Sequence, residues 1–303
     1  MRSIICALAL LALGASATAA DEPSFKVGAT IFADYTTQTA PDAFNVGRAY
    51  INVTGNLNKQ ITFRVTPDVA RDATGSQQFR LKYAFAQWSA DRWWVRFGMQ
   101  QTPLIDFTES VYRYRFQGTL FPEREGYLAS SDTGASLHYN FPGDRGDVHA
   151  GIYNGEGYSK AEANDQKALQ VRATYKPLKG LRTTLFVDAD NYSQGTKRTR
   201  TIAQATYEHK RFNAGADVIK ATDRDAGTNG WSAWATPKLG NGWELLLRHD
   251  QTSTHKQRNI AGVAYWVPGL QKVTCALLAD VDTLAQTAKP RDTRVGLKML
   301  LAF

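Results

Sequence analysis

The chain has few cysteines, and beyond its first residues it has no long apolar run. Of its two cysteines, Cys6 lies in the N-terminal segment and Cys275 is alone in the rest of the chain. A lone cysteine excludes an internal disulfide and a cysteine-based metal cluster. Residues 21–303 contain no run of about 18 apolar residues, which excludes an ordinary transmembrane helix. A soluble protein and a membrane β-barrel both remain open.

The first 20 residues have the features of a secretory signal peptide. Arg2 supplies the positive start, residues 4–13 form an apolar stretch, and the small residues 17–20 form a cleavage site. The stretch is too short for a membrane anchor, and Cys6 lacks the context of a lipoprotein. We therefore expect residues 1–20 to be removed on export.

Basic residues outnumber acidic ones, 36 to 28, which gives a formal net charge of +8. They are spread along the whole chain without a basic tail or block. An exported protein seldom meets nucleic acid, so we expect no nucleic-acid partner. The excess indicates either a solvated surface or a water-filled path that favours anions.

Apolar and polar residues alternate along most of the chain. In residues 293–303 the odd positions are apolar except Thr293, and the even positions include Arg294 and Lys298. Such alternation gives a strand two faces that meet different solvents. We predict about sixteen strands, an even number that allows an all-β antiparallel transmembrane barrel to close. They lie near residues 24–36, 44–56, 60–70, 79–89, 92–101, 132–141, 147–154, 167–177, 181–190, 199–209, 211–221, 229–238, 242–251, 257–267, 270–281 and 291–303.

Short connections between these strands alternate with longer, polar ones. Outer-membrane barrels have short periplasmic turns and long external loops, whereas a soluble β-sandwich has no reason to alternate them. The pattern therefore favours a single outer-membrane barrel domain over residues 21–303. The predicted longer connections include residues 71–78, 154–166, 191–197, 222–229 and 282–291.

One connection, from residue 102 to about residue 131, is much longer than the rest. It carries Phe107, Tyr112 and Phe121 among other apolar residues, which is too much apolar surface for a disordered segment. Because loops this long are usually functional, we expect it to fold into the lumen and narrow it. The alternative is an external cap or a subunit contact. Its candidate constriction residues are Asp106, Glu109, Arg113, Arg115, Glu123, Arg124 and Glu125.

Strand alternation also assigns charged residues to the lumen, because a charged side chain facing lipid costs a few kcal/mol near the midplane. The basic residues expected to line the pore are Arg48, Arg64, Arg80, Lys82, Arg96, Arg248, Arg294 and Lys298. The first five form a patch on one wall, which the acidic residues of the long loop can face. Alternatively, these arginines pair with lumenal carboxylates and stiffen the wall. Aromatic residues, Tyr83 and Phe85 included, are assigned to lipid-facing girdles.

Four segments resemble the phosphate-selective porin O and P family: residues 48–55, 62–68, 95–103 and 148–155. Phe303 also resembles the aromatic C-terminal residue that outer-membrane barrels present to their assembly machinery. The resemblance implies a sixteen-stranded, usually trimeric barrel in the outer membrane of a Gram-negative bacterium. Its third external loop would fold into the lumen, and basic side chains would line a water-filled channel for passive diffusion of small hydrophilic solutes.

The dedicated phosphate channels of this family are marked by a dense arginine ladder and a lysine cluster. The long loop here has three arginines and four acidic residues but no lysine. A mild preference for anions such as phosphate is therefore expected instead of strict selectivity. The alternative function is that of a plugged or non-conducting barrel that acts as a scaffold, an adhesin or a secretion component.

No catalytic motif emerges from the sequence. Ser136 and His138 lie two apart on one strand, as in outer-membrane phospholipases, but strand alternation points them into the lumen and not to the lipid. The five histidines form no HExxH pair, and there is no G-x-S-x-G or phosphate-binding G-K-[ST] motif. We expect no enzymatic activity, no cofactor and no metal.

Overall fold

The computed structural model describes residues 22–37, 42–71, 75–193, 196–224 and 226–303. The predicted signal peptide lies outside these residues. Sixteen strands, β1 to β16 in chain order, make up almost all of the fold. They span Ser24–Thr36, Ala43–Asn56, Ile61–Arg71, Gln77–Ala90, Trp93–Gln101, Ser131–Asn140, Gly146–Tyr153, Ala168–Leu178, Leu181–Ser193, Thr196–Glu208, Phe212–Asp223, Ala226–Gly240, Trp243–Thr252, Gln257–Trp266, Thr274–Gln286 and Lys289–Ala302.

Each strand pairs with its sequence neighbours, and β1 pairs with β16 to close the barrel. All the pairs are antiparallel, so the predicted sixteen-stranded antiparallel fold is confirmed. Period-two alternation sets the two faces: on β9, Leu185 and Val187 are exposed on the outside, and Phe186 between them is fully buried inside. Closure leaves no unpaired strand edge, which a barrel in lipid requires.

Three stretches predicted as long, polar connections lie mostly within strands in the part of the chain that the structure describes. Residues 191–197, 222–229 and 282–291 mostly continue the strands, and β15 and β16 stay paired out to Gln286 and Lys289. The prediction was wrong because polar composition marks where contact with lipid ends, not where the strand ends. Backbone pairing continues into water as long as both partners stay extended.

A bulge in β4 reverses the alternation there. Thr66 pairs with Tyr83 but the next residue, Pro67, pairs with Leu81, so Lys82 is an extra residue. Proline has no N–H for the ladder and is tolerated at such irregularities. Tyr83 consequently lies inside, 4% exposed. Phe85 follows it inward, with its ring 4.2 Å from the Arg96 guanidinium carbon. The prediction that Tyr83 and Phe85 face lipid was wrong.

The connection between β5 and β6, residues 102–130, is called the constriction loop below. It contains two short helices, α1 (Ile105–Tyr112) and α2 (Phe121–Arg124). Within the described ranges, neither these nor any other helix has the length and apolarity needed to cross a membrane.

An apolar cluster lies inside the barrel, where the constriction loop packs against the wall. The constriction loop contributes apolar side chains that include Leu104, Ile105, Tyr112, Tyr114 and Phe121. They form one buried cluster with inward-facing residues of β9 to β16, namely Phe186, Ile202, Ile219, Trp234, Leu246, Ile260, Ala264, Ala276, Leu278 and Leu300. Alternation predicted a polar interior, and charged residues such as Glu244, Asp250 and Asp280 do face inward here, but they alternate along the wall with apolar residues that pack against the loop.

Candidate functional site

The constriction loop contacts inward-facing side chains on every strand from β8 to β16. The residues contacted are Arg172, Arg182, Gln204, Asn213, Trp234, Glu244, Trp266, Asp280 and Lys298. It also touches β4, where the Tyr83 hydroxyl donates to Asp106 at 3.2 Å. Because β4 and β13 lie almost opposite each other in the closed strand order, the loop reaches across the interior. These contacts support the expected inward fold.

Aromatic contacts fix the middle of the loop to the wall. The indole N–H of Trp266 donates to the Tyr114 hydroxyl at 3.1 Å, and the Trp266 ring meets Phe116 edge-on. Tyr112 meets Trp234 with ring centroids 5.0 Å apart. Buried aromatic pairs with satisfied polar groups have specific geometry and stabilise a single arrangement. These contacts hold the middle of the loop against β12 and β14.

A cavity of about 560 Å³, the outer cavity, lies between the loop and the wall, towards the barrel end opposite the termini. Its lining includes six basic residues and three acidic ones. The basic residues are Arg48, Arg80, Arg124, Arg258, Arg294 and Lys298, and the acidic ones are Asp34, Asp280 and Asp282. At neutral pH the lining is therefore positive, which lowers the energy of an anion there.

Part of this charge is paired within the wall. Arg258 donates to Asp282 at 2.7 Å, and Lys298 Nζ lies 3.8 Å from an Asp280 carboxylate oxygen and donates to the Gln117 carbonyl at 3.1 Å. Arg294 pairs with Asp292 at 2.9 Å. The pairing foreseen as the alternative is thus present, yet it leaves the basic excess in place.

A second cavity of about 360 Å³, the inner cavity, lies towards the end that carries the termini. Lys26, Arg64 and Arg96 line it, and its described lining holds no acidic residue. Arg64 is held by the Asn52 amide oxygen at 2.8 Å, and Arg96 by Gln87 and Gln101 at 2.7 Å each. Neutral partners position these guanidinium groups without cancelling their charge.

Between the two cavities, carboxylates of the constriction loop face the basic wall. Arg115 forms ion pairs with Glu109, at 3.2 Å, and with Glu123. Burial raises the pKa of Glu109 to about 7 against the opposing effect of Arg115, and burial also raises the pKa of Asp106. The constriction thus sets acidic groups on the loop against basic groups on β2 to β5, an arrangement that orients dipolar solutes and tunes charge selectivity.

Most of the predicted basic residues line the two cavities, but Arg248 does not. It is 4% exposed and donates to Asp250 at 2.7 and 2.8 Å and to the Thr119 carbonyl at 2.9 Å. It was predicted to line the pore; its side chain lies inside the barrel, where the loop covers it. Lys82 is likewise buried, among tyrosine rings.

The charged residues of the constriction loop divide between the cavity and the wall. Arg124 lines the outer cavity and lies 3.5 Å from Asp250. Arg113 binds Glu244, and Glu125 accepts from Lys256 at 2.8 Å. The Arg113–Glu244 and Glu125–Lys256 contacts anchor the loop to the wall.

Sequence reasoning missed Arg258 and Asp282. Asp282 was placed in a long loop, and only the continued pairing of β15 puts it on the inward face. Arg258 shares its inward face with Ile260 and Ala264, so its strand shows no polar inner face in the sequence. Knowing that β15 continues would have revealed Asp282.

Other candidate chemistry is not assembled. Ser136 and His138 lie inside, with Leu137 half exposed between them, and Ser136 donates to Gln100. Across the part of the chain that the structure describes, no group of three or more histidine, cysteine, aspartate or glutamate side chains is placed to hold a metal ion.

Comparisons with known proteins agree with this architecture. The barrel is similar to an anion-selective porin from Comamonas acidovorans, with 13% identity, 93% of this chain and 99% of that chain covered, and a TM-score of 0.66. It is equally similar to OmpF of Salmonella typhi solved with daunomycin (13% identity, 92% and 97% covered, TM-score 0.66). A loop L8 deletion mutant of OmpT, an outer-membrane protein of Vibrio cholerae, also matches (13% identity, 93% and 100% covered, TM-score 0.66). At these identities the likeness shows the fold alone.

No curated protein matches the sequence. The sequence pattern of the family described as phosphate-selective porin O and P, in contrast, matches residues 25–257. That match covers well over half of the chain and includes all four segments that carry the resemblance. The chain therefore belongs to the phosphate-selective porin O and P family.

Proposed function

We propose that this protein is an outer-membrane porin, a water-filled channel through which small hydrophilic solutes and ions diffuse passively. The observation that carries the proposal is the placement of the two cavities. The constriction loop packs against β8 to β16, and polar, charge-lined space lies beside it towards both ends of the barrel. In a plugged barrel the loop would also fill the space that these two cavities occupy. The cavities and the family membership therefore favour the channel.

The charges support a mild preference for anions such as phosphate. Basic side chains exceed acidic ones in the outer cavity, and Lys26, Arg64 and Arg96 continue the positive lining in the inner cavity. Guanidinium groups bind phosphate and carboxylate oxygens in a forked geometry. The acidic loop residues between the cavities weaken this preference, and conduction requires that each contact stay weak enough for the solute to leave.

The test is reconstitution of the purified protein in a planar lipid bilayer under a salt gradient. We expect discrete conductance steps and a reversal potential on the anion side. Arg80→Ala and Arg294→Ala, which remove charge from the outer cavity, should move the potential towards cations. Arg211→Ala, which removes the same charge from an exposed turn, should leave it unchanged.

Each failure has a separate meaning. Cation selectivity of the unmodified protein would overturn the anion preference and retain the channel. No conductance from protein shown to be folded would overturn the channel and favour the scaffold, adhesin or secretion alternative. We further propose that the barrel has no enzymatic activity, and hydrolysis of detergent-solubilised phospholipid by the purified protein would contradict this.

We also propose that the porin is a homotrimer. The resemblance implied this, and a neighbour in fold, OmpT of Vibrio cholerae, has been solved in a trimer form. Native mass spectrometry of the detergent-extracted protein should give three times the monomer mass.

The C-terminal residue offers a contact for the assembly machinery. Phe303 is 59% exposed at the lipid face while its backbone pairs with Ala29, so its side chain is accessible to this machinery. Deletion of Phe303 should lower the yield of assembled barrel.

A further inference from the structure

The connection between β7 and β8 carries a tyrosine, Tyr158, that it directs into the barrel mouth. The Gly155 amide donates to Asp132 at 2.7 Å, and the Tyr158 amide donates to the Ser131 carbonyl at 3.0 Å. Arg198 of β10 donates to the Gly155 carbonyl at 3.0 Å. Three hydrogen bonds thus fix the backbone at Gly155 and at Tyr158 itself, so the position of this side chain is set by the loop.

The Tyr158 side chain lies among three basic residues of the predicted patch. Its hydroxyl accepts a hydrogen bond from Arg48 Nη1 at 3.2 Å. Its ring centroid lies 4.9 Å from Lys82 Nζ and 6.0 Å from the Arg80 guanidinium carbon. Cations are attracted to the face of an aromatic ring at such distances. One side chain therefore lies close to cations that come from two strands, β2 and β4.

Arg48 is the member of this group that the hydroxyl can orient. Nη1 also donates to Asp68 at 2.5 Å, and Asp68 is fully buried. Both described hydrogen bonds use Nη1, and Nε and Nη2 have no hydrogen-bond partner among the residues that the structure describes. Arg48 also lines the outer cavity, so both anchors hold through Nη1 a side chain that borders this space.

Lys82 shows what the ring contributes. This side chain is 4% exposed, donates to Ser130 at 2.9 Å, and also lies 5.6 Å from the Tyr50 ring and 5.5 Å from the Tyr83 ring. Like charges repel more strongly away from bulk water. A cage of three tyrosine rings offsets this repulsion and keeps the buried ammonium group close to the cavity.

We propose that Tyr158 is a positioning residue for anion passage: it holds Arg48 with its unused N–H groups facing the outer cavity, and its ring lies close to both Lys82 and Arg80. An oxyanion such as inorganic phosphate is then retained briefly at this point before it enters the constriction. The inference rests on the proposed porin function. It assigns a transport role to a loop that sequence reasoning treated only as a connection.

The test measures phosphate inhibition of chloride current through single channels. In the unmodified protein, phosphate should reduce the chloride current in a saturable way. Tyr158→Ala removes both the hydroxyl and the ring and should weaken the apparent phosphate affinity about tenfold, a loss comparable with one hydrogen bond to a charged group. Tyr158→Phe keeps the ring and should give a smaller loss. Lys160→Ala removes a charge from the same loop away from the cluster and should leave the affinity unchanged.

A purely structural role of Tyr158 would change the fraction of assembled barrels without changing phosphate affinity in those that conduct. Equal phosphate affinity in the unmodified protein, Tyr158→Phe and Tyr158→Ala would overturn the inference while the porin function stands. The inference would also be overturned if phosphate did not inhibit the chloride current of the unmodified protein in a saturable way. A folded protein without any chloride current would instead overturn the proposed function itself. Because Tyr158→Phe preserves the packing of the ring, poor folding of Tyr158→Ala does not prevent the comparison.

Discussion

Nη2 of Arg113 lies 2.7 and 2.8 Å from the two carboxylate oxygens of Glu244, and this contact ties the end of helix α1 to strand β13. The hydroxyl of Tyr114 donates to the same carboxylate at 3.0 Å, and Trp266 lies against both loop residues. The attachment lies across the barrel from the basic wall of β2 to β5. It therefore sets how far the loop extends into the lumen.

Glu244→Ala should loosen the constriction loop. The change leaves Arg113 and Tyr114 without their acceptor, which costs about 1–3 kcal/mol of stability for hydrogen bonds to a charged group, with the partial exposure of Arg113 favouring the lower end. We expect noisier single-channel currents and a lower urea midpoint for unfolding from lipid vesicles. Glu208→Ala removes an exposed carboxylate whose pairing with Arg182 is long, 3.5 Å, and should change neither. Identical behaviour of the two variants would contradict the anchoring role.

Neighbouring leucines on β13 should differ sharply in their contribution to stability. Leu246 is fully buried against the constriction loop, whereas Leu247 is 48% exposed on the lipid side. Leu246→Ala leaves a cavity inside the barrel and should cost about 2–5 kcal/mol. Leu247→Ala leaves no cavity, because lipid chains fill the space of the lost side chain, and should reduce the unfolding free energy by less. Equal losses in the unfolding free energy, measured in lipid vesicles, would mean that the loop does not pack as a core.

Acidification should make the channel more selective for anions. Burial raises the pKa of Glu109 to about 7, so this carboxylate is charged at pH 8 and neutral at pH 5.5. Arg115, Lys82, Asp106 and Glu123 face it, and the basic groups stay charged throughout. Loss of the negative charge removes a barrier to anions, so the reversal potential should move to the anion side as the pH falls.

Glu109→Gln should abolish most of this shift and show the anion-side potential already at pH 8. Burial also raises the pKa of Asp106, so a smaller shift remains in the variant. Glu162→Gln, in an external connection, serves as the matched control and should titrate like the unmodified protein. A full pH shift in Glu109→Gln would assign the titration to another group.

The mature chain should begin at Asp21. The basic start, the apolar stretch and the small residues at 17–20 predict cleavage after Ala20. Intact-mass measurement of the protein from outer-membrane fractions tests this directly. A retained N-terminal segment would mean that the first residues serve another purpose than export.

The sequence alone determined that the chain is a barrel of this size. Every predicted strand is present, because period-two alternation is a local property that a membrane and a water-filled interior impose on each strand separately. The inward direction of Arg48, Arg64, Arg80 and Arg96 followed from the same rule. Strand ends were less well predicted, since pairing continues beyond the lipid in hairpins such as that of β15 and β16.

Only the tertiary structure decided which inward-facing residues meet water. The constriction loop buries Arg248 and Leu246 alike, although one is charged and the other apolar, because it lies over β13 irrespective of the chemistry of single positions. A single bulge at Lys82 brought Tyr83 inside against Asp106. Tyr158 meets Arg48 from 110 residues away. Such contacts depend on how distant segments approach one another, and no periodicity within one strand encodes that.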